Sequence, residues 1–376
     1  MLGMMRGLFF SILLVVSAFT GSVLVLLPCA VCLLPLGAVD AFRACAAQVR
    51  WWWFSFAASC IEYVGGVRYE VFGDDVPRNF GGDTCVVVVC NHHCRLDWLF
   101  LWPLALRHGR CGALHIMLKD SLKHVPLFGW AMQAFGFSFL GRVDRASDVD
   151  AIKGRLGAEL GAAKGGAPVY ALLFPEGTDL SPSNLKKARA YGLTLDPPRR
   201  WSRVLVPKGA GLAAAIEALG DALDAVYDVT LLYETQDGER PDEQSMCLRG
   251  VFPVAVKASV KRHARSELPR AMRVGDAAAT KLWLLDKWAL KEEAIANGAL
   301  PQPPVKDPGP TARDAFLHFI VGAAAVYATA SGLYTSAKLR LLALASCALW
   351  QGLALFGGLD NVEMSIRRAA AASPRY

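Results

Sequence analysis

Thr84-Cys85-Val86-Val87-Val88-Val89-Cys90, followed at once by Asn91-His92-His93-Cys94-Arg95-Leu96-Asp97, is the stretch on which the fold turns. An unbroken β-branched run reads as a strand buried on both faces, and such strands belong to largely parallel sheets covered by helices. Further strands are predicted at 67–72, 113–118, 135–140, 168–174, 203–207, 225–233 and 251–260. Helical patterns fall between them at 98–107, 147–163 and 210–219. This alternation predicts an α/β domain with a mixed, mainly parallel sheet flanked by helices. Sites in such sheets form beyond the carboxyl ends of strands. Two predicted strand ends carry chemistry: 91–97, and Phe174-Pro175-Glu176-Gly177-Thr178-Asp179-Leu180.

The flanks of this domain have a different character. Of the 376 residues, 54% are hydrophobic and only 19% charged, against about 25% charged in an ordinary soluble domain. The shortage is local. No charged residue occurs between Arg6 and Asp40; 315–337 has only His318, and 341–359 has none. Roughly 20 apolar residues span a bilayer, so a wholly soluble protein, a secreted disulfide scaffold and a disordered chain are excluded. The N-terminal run is too long for a simple signal peptide and must tilt, kink or re-enter, with Pro28 and Pro35 as breaking points. Trp51-Trp52-Trp53-Phe54 suits a headgroup region. The two C-terminal runs, separated by Lys338-Leu339-Arg340, read as a transmembrane hairpin. The expected organisation is a membrane anchor at 1–64, a catalytic domain at 65–300, a Pro-rich linker at 301–314, the hairpin at 315–359 and a tail at 360–376.

Net charge is +7, with basic clusters at Lys186-Lys187, Arg199-Arg200 and Lys261-Arg262. Between hydrophobic anchors, anionic lipid is a simpler partner than nucleic acid. The ten cysteines lack the paired spacing of a zinc site and are expected to be reduced and mostly buried.

His92 and Asp97, on a straight helix, would be rotated by about 140° and displaced by about 7.5 Å. A turn leading into a helix can instead fold the carboxylate back onto the imidazole, giving the base half of a hydrolase triad. No serine lies close in sequence, and no Gly-x-Ser-x-Gly elbow occurs. The missing nucleophile is then a substrate hydroxyl. Membrane thioesterase or lipase activity, and noncatalytic lipid binding, are the alternatives.

Asn-His-x4-Asp followed by Phe-Pro-Glu-Gly-Thr resembles the glycerophospholipid acyltransferase family. Phe139-Leu140-Gly141-Arg142 and Val204-Leu205-Val206-Pro207-Lys208 extend the resemblance in family order, and the wording around Arg95, Asp97, Trp98 and Phe100 is most similar to the lysocardiolipin acyltransferase-like subgroup. So are Lys119–Gln133 and Lys287-Trp288. The resemblance implies the glycerolipid acyltransferase fold, with acyl-CoA as donor substrate, a lysophospholipid as acceptor and no cofactor or metal. It makes His92 the general base and Asp97 its partner. Arg142, Glu176, Gly177 and Thr178 would hold the acceptor phosphate. Glu176, anionic itself, is expected on a glycerol hydroxyl or on Arg142. Gly141 stands where an acidic residue or His is usual, and Arg145 leaves the phosphate ligand open between two arginines. Lys119, Pro207 and Lys208 complete the expected substrate-binding set. The strip from Lys119 to Trp130 reads either as an interfacial amphipathic segment or as a core-packed helix end. An intracellular membrane is the expected location, endoplasmic reticulum first and mitochondrial second.

Overall fold

The computed structural model describes residues 2–74, 82–162, 168–236, 238, 240–300, 312–354 and 357–372. Among them a seven-stranded sheet runs in the order β1-β7-β6-β2-β5-β3-β4. Its strands are β1 (Arg68–Gly73), β2 (Cys85–Cys90), β3 (Leu114–Lys119), β4 (Ser138–Leu140), β5 (Val169–Leu173), β6 (Ala225–Glu234) and β7 (Ala255–Ala264). Every neighbouring pair is parallel except β6 with β7. The sheet is the mixed, mainly parallel one that the sequence predicts.

The all-apolar run of β2 feeds two cores because successive side chains point to opposite faces. Val86, Val88 and Cys90 join a core with Phe54, Trp102 and Tyr170. Cys85, Val87 and Val89 join another with Leu212, Ile216 and Trp288. The second face is covered by helices Arg145–Ala162, Gly209–Leu219 and Ala277–Ala296. The first is covered in part by helix Val39–Tyr63, so this end of the N-terminal segment is built into the domain. Trp53 and Phe54 are buried accordingly, Phe54 stacking on Trp102 at 4.0 Å. Only Trp51 of the aromatic cluster is exposed, which corrects the reading of the whole cluster as a headgroup belt.

Among the described residues two helices are long and apolar enough to cross a membrane, Leu2–Leu36 and Ala315–Thr335, and the pair Ala337–Ala354 and Leu359–Ala370, bent by 68°, makes a third if it is one span. The first passes through a π-helical stretch at Thr20–Leu26, where the carbonyl of Ser22 accepts from Trp350 Nε1 at 3.1 Å. The same carbonyl also accepts from Leu27 N within the π-helical turn, so the indole adds a second bond that ties helix Ala337–Ala354 to this stretch. Ala337–Ala354 follows, with Lys338 and Arg340 in its first turn. The last helix among the described residues, Leu359–Ala372, is amphipathic and occupies the stretch expected as a tail. The Pro-rich linker lies mostly outside the described residues.

Sequence expectation and structure also part at 203–207. Val204, Leu205 and Val206 are buried but form no strand. Carboxylates satisfy their amides in place of a sheet neighbour: Ser202, Arg203 and Val204 donate to Glu292, and Leu205 donates to Glu176. Trp130 is buried and stacks on Trp350 at 5.7 Å, as the core-packed reading expects, while Leu122 and Val125 of the same strip are exposed. Lys123 is likewise buried, paired with Asp360 at 3.0 Å.

The last helix is fastened by an ionic cluster. Glu363 accepts from Arg43 Nε at 2.6 Å and from Arg155 Nη1 at 3.2 Å, joining helices Val39–Tyr63, Arg145–Ala162 and Leu359–Ala372. Arg155 Nε also donates to Gly136 O at 2.6 Å. Gly136 has φ of 73°, and a Cβ there would lie 1.9 Å from Arg155 Nη2, so glycine is required on both counts. Removing one member strands buried charge at a cost of about 3–5 kcal/mol. Glu363→Ala is therefore expected to lower the thermal unfolding temperature sharply in detergent. Asp221→Ala, which breaks the exposed pair with Arg265, is expected to leave it nearly unchanged.

Candidate active site

The two chemically loaded segments leave adjacent parallel strands at the same end of the sheet. Val89 of β2 lies beside Leu173 of β5, and Cys90 beside Val229 of β6. The chain turns at Asn91–Leu96 and enters the short helix Asp97–Phe100. That turn brings His92 Nδ1 to 2.8 Å from Asp97 Oδ2. The carboxylate has no solvent exposure, and its other bonds come from Cys94 N at 3.0 Å, Cys94 Sγ at 3.3 Å and the Tyr233 hydroxyl at 2.6 Å. Acceptance from the imidazole fixes the proton on Nδ1 and leaves Nε2 with its lone pair. The ring stacks on Phe174 at 4.4 Å and retains 14% exposure. Burial alone would lower the His92 pKa; the hydrogen bond and charge of Asp97, with Glu176 and Asp179 behind, outweigh it and raise the pKa above the ordinary value.

The β5 segment turns as sharply. Gly177 N donates to Phe174 O at 2.9 Å, with Pro175 inside the turn, and Gly177 takes φ of 75°. Leu180 N donates to His92 O at 2.9 Å, stitching the two loops together. Lys208 N donates to Pro175 O at 2.8 Å and adds the third. A Cβ on Gly177 would be 3.3 Å from Lys208 Nζ, so this ammonium lies over the glycine. Arg142 Nη1 donates to Gly177 O at 2.5 Å. Its backbone sits at φ of 60°, a costly conformation for a non-glycine, and is held by two bonds from its amide to Asp148.

The two arginines therefore differ. Both are exposed, but Arg142 reaches the Gly177 turn, whereas Arg145 stands at the start of its helix. Thr178 Oγ1 accepts from Asn184 Nδ2 at 2.9 Å, and Pro207 is buried beside Lys208. Lys119 is exposed at the end of β3.

Glu176 is the main departure from expectation. Its carboxylate points inward instead of toward Arg142 or an open subsite. Oε1 accepts from His92 N at 3.1 Å and from Trp288 Nε1 at 2.9 Å, while Oε2 accepts from Leu205 N at 3.0 Å. It binds three separated segments and is only 3% exposed, so it does not face an open subsite. Burial pushes its pKa up to about 7 against the pull of those donors.

Three groups escaped the sequence reading. Tyr233 ends a predicted strand, with nothing local to mark its hydroxyl. Trp288 belongs to the family resemblance without a role attached. Arg240, on the loop after β6, donates to the carbonyls of His93 and Leu180 and so clamps the two loops.

The arrangement is an imidazole base with its second nitrogen open, beside a cationic turn, and it suits transfer of a group onto a hydroxyl. The acyltransferase family model matches residues 69–233. The chain is 32% identical over 295 residues to lysocardiolipin acyltransferase 1 of Danio rerio, covering 77% of this chain and 70% of that protein. It is 30% identical over 300 residues to lysocardiolipin acyltransferase 1 of Mus musculus, covering 78% and 73%. A probable 1-acyl-sn-glycerol-3-phosphate acyltransferase 5 of Arabidopsis thaliana is 28% identical over 264 residues, covering 69% and 65%. The chain belongs to this acyltransferase family.

Glu176 generates a pH test. Between about pH 4.5 and 7 the folded state holds a proton that the unfolded chain has released, so this group's stabilisation falls as pH rises through that window. Glu176→Gln cannot titrate and leaves the Leu205 amide facing a donor, a cost of about 1–3 kcal/mol. Thermal unfolding from pH 4.5 to 7.5 should show the variant less stable than wild type, with the gap narrowing as pH rises. A gap that widens would mean that the three donors outweigh burial.

Proposed function

We propose that this protein is a membrane-bound, acyl-CoA-dependent lysophospholipid acyltransferase that uses His92 as general base and Asp97 to orient it. The observation that carries the reading is the 2.8 Å pairing of His92 Nδ1 with a fully buried Asp97, on loops fastened to the cationic turn of Arg142, Gly177 and Lys208. A lysophospholipid brings both complementary groups, a phosphate and a free hydroxyl.

In this mechanism Nε2 takes the proton of the acceptor hydroxyl as its oxygen attacks the thioester carbonyl. The imidazolium that forms is held by Asp97. Collapse of the tetrahedral adduct expels the thiolate of CoA, and the proton on Nε2 is available to it. A thiol of pKa about 8.5 leaves readily, so one imidazole serves both steps and no cofactor is needed. Arg142 pairs with phosphate through its planar fork, and Lys208 adds a point charge. Lys119 and Arg145 stand further out, where they would meet headgroups. Thr178 and Pro207 support the turn.

A lysophospholipid resides in a bilayer, and the two membrane-length helices among the described residues support an acceptor drawn from there. The location that fits is an intracellular membrane, the endoplasmic reticulum before the mitochondrion. The acceptor headgroup lies among lysophosphatidic acid, lysocardiolipin and lysophosphatidylinositol.

Microsomes carrying the protein, incubated with labelled oleoyl-CoA and those three acceptors, should incorporate label into at least one. Incorporation no higher than an empty-vector control overturns the reading. His92→Ala should lose about 10²–10⁴-fold in kcat while remaining folded. The wild-type rate should rise with pH through an inflection above about 6.5, because protonated His92 cannot accept the acceptor's proton. Arg142→Ala should raise KM for the lysophospholipid by about tenfold or more, the worth of one charge-assisted contact, and leave KM for acyl-CoA within about twofold.

A further inference from the structure

We infer that Tyr233 is the positioning residue of the His92–Asp97 pair, its phenol holding Asp97 Oδ1 so that Oδ2 stays aimed at His92 Nδ1. This rests on the dyad reading above and assigns the group that keeps the dyad in register.

An ionised carboxylate offers about four acceptor directions. Those of Asp97 are all taken: Oδ2 by His92 Nδ1 at 2.8 Å and Cys94 N at 3.0 Å, Oδ1 by Tyr233 at 2.6 Å and Cys94 Sγ at 3.3 Å. The bonds from the Cys94 amide and thiol come from the turn that Asp97 itself closes. Tyr233 is the donor that arrives from another element of the sheet, and its bond is the shortest of the four. Charge-assisted O–H donors of this length are the strong ones.

The fold explains how the phenol arrives. In β6 the residue beside Cys90, the last of β2, is Val229, so β6 runs on past the end of its neighbour. Four more residues at about 3.3 Å each carry it roughly 13 Å further, over the loop that holds the dyad. The overhang is kept extended by β7, where Tyr233 pairs with Val256. Its register is fixed from the dyad's own loop: Asn91 Nδ2 donates to Leu231 O at 3.1 Å, and Leu231 N donates to Asn91 Oδ1 at 2.8 Å. Leu231 and Tyr233 share a face, so the side chain of the residue before His92 sets where the phenol falls. The ring is then gripped by His93, stacked at 5.4 Å, and by the edge of Phe100 at 5.2 Å.

Burial and the neighbouring Asp97 push the phenol pKa well above its ordinary value, so Tyr233 stays a donor across any assay range. The groups that act on His92 are Asp97 from the helix and Glu176 and Asp179 from the turn after β5. Arg240 and Arg203 act on the adjacent His93 ring, and Lys208 lies over Gly177. None of these changes when the phenol oxygen is removed. Tyr233→Phe therefore alters one thing: charge that was shared with the phenol returns to the carboxylate. The imidazolium is then better stabilised, and His92 gives up its proton at higher pH.

The test is full pH–rate profiles of purified wild type, Tyr233→Phe, His92→Ala, and protein with 3,5-difluorotyrosine placed at position 233, each checked for folding by thermal unfolding. Tyr233→Phe should lose about tenfold in kcat, with KM for both substrates within about twofold, and its ascending limb should move to higher pH. The fluorinated phenol, a stronger donor, should move the limb the other way, and it decides the matter alone if the Phe variant does not fold. Unshifted limbs in the variants that fold overturn the proposal, whatever happens to kcat. Wild-type turnover by His92→Ala overturns the dyad reading itself, whereas a dead His92→Ala beside unshifted profiles removes only Tyr233.

Discussion

The carboxylate of Glu176 is touched by three parts of the chain that lie far apart in sequence: the amide of His92, the amide of Leu205 and the indole of Trp288. Each of those bonds closes a different loop over the end of the sheet. The first holds the backbone of His92, the second anchors the apolar stretch that precedes Lys208, and the third draws helix Ala277–Ala296 onto the sheet. Glu176 thus serves as a post. Burying a carboxylate is expensive unless its acceptor sites are filled, and here donors from three sides fill them. Lose the post and three loops lose their common reference.

A second constraint ties this end of the molecule to its flanks. Arg43, Arg155 and Glu363 come from helices Val39–Tyr63, Arg145–Ala162 and Leu359–Ala372. Chain segments that sequence alone divides into anchor, domain and tail are therefore one folding unit in this region. Ions buried together are poor stabilisers compared with an apolar core but severe penalties when mismatched. Such a cluster selects one arrangement of the three helices, because any slip leaves an arginine unpaired.

The sheet was legible in the sequence because its central strand is hydrophobic on every residue, a pattern with few structural solutions. The site loops were legible because polar, chemistry-bearing residues stand directly at strand ends. What could not be read were relations that exist only after folding. Leu205 has strand-like neighbours, and only a distant glutamate explains why it is not in a strand. Phe54 looks like a headgroup aromatic until Trp102 is found stacked on it. Tyr233 is an ordinary strand-ending tyrosine until the unequal lengths of β2 and β6 carry it over Asp97. The motif neighbours of Glu176 suggest a glycerol hydroxyl or Arg142 as its partner, but its carboxylate turns inward to His92 N, Trp288 and Leu205 N.

Within the reading proposed for it, the site also dictates where the nucleophile must come from. Cys94 is near enough to the dyad to suggest a covalent route, but its thiol is buried and spends its hydrogen on Asp97. Burial and the Asp97 charge push its pKa well above the ordinary range, so the thiolate that attack requires is not formed. Among the described residues no serine or cysteine hydrogen-bonds to the His92 ring, whose polar partner is Asp97 on Nδ1. The open nitrogen can then activate only a hydroxyl that arrives from outside the chain. Water would satisfy it chemically, but Phe174 stacks along one face of the ring, and a phosphate drawn to Arg142 and Lys208 would carry its own tethered hydroxyl toward the other nitrogen. Tethering makes the attack effectively intramolecular, an advantage that free water cannot match. A base without a protein nucleophile is therefore the arrangement that favours transfer over hydrolysis.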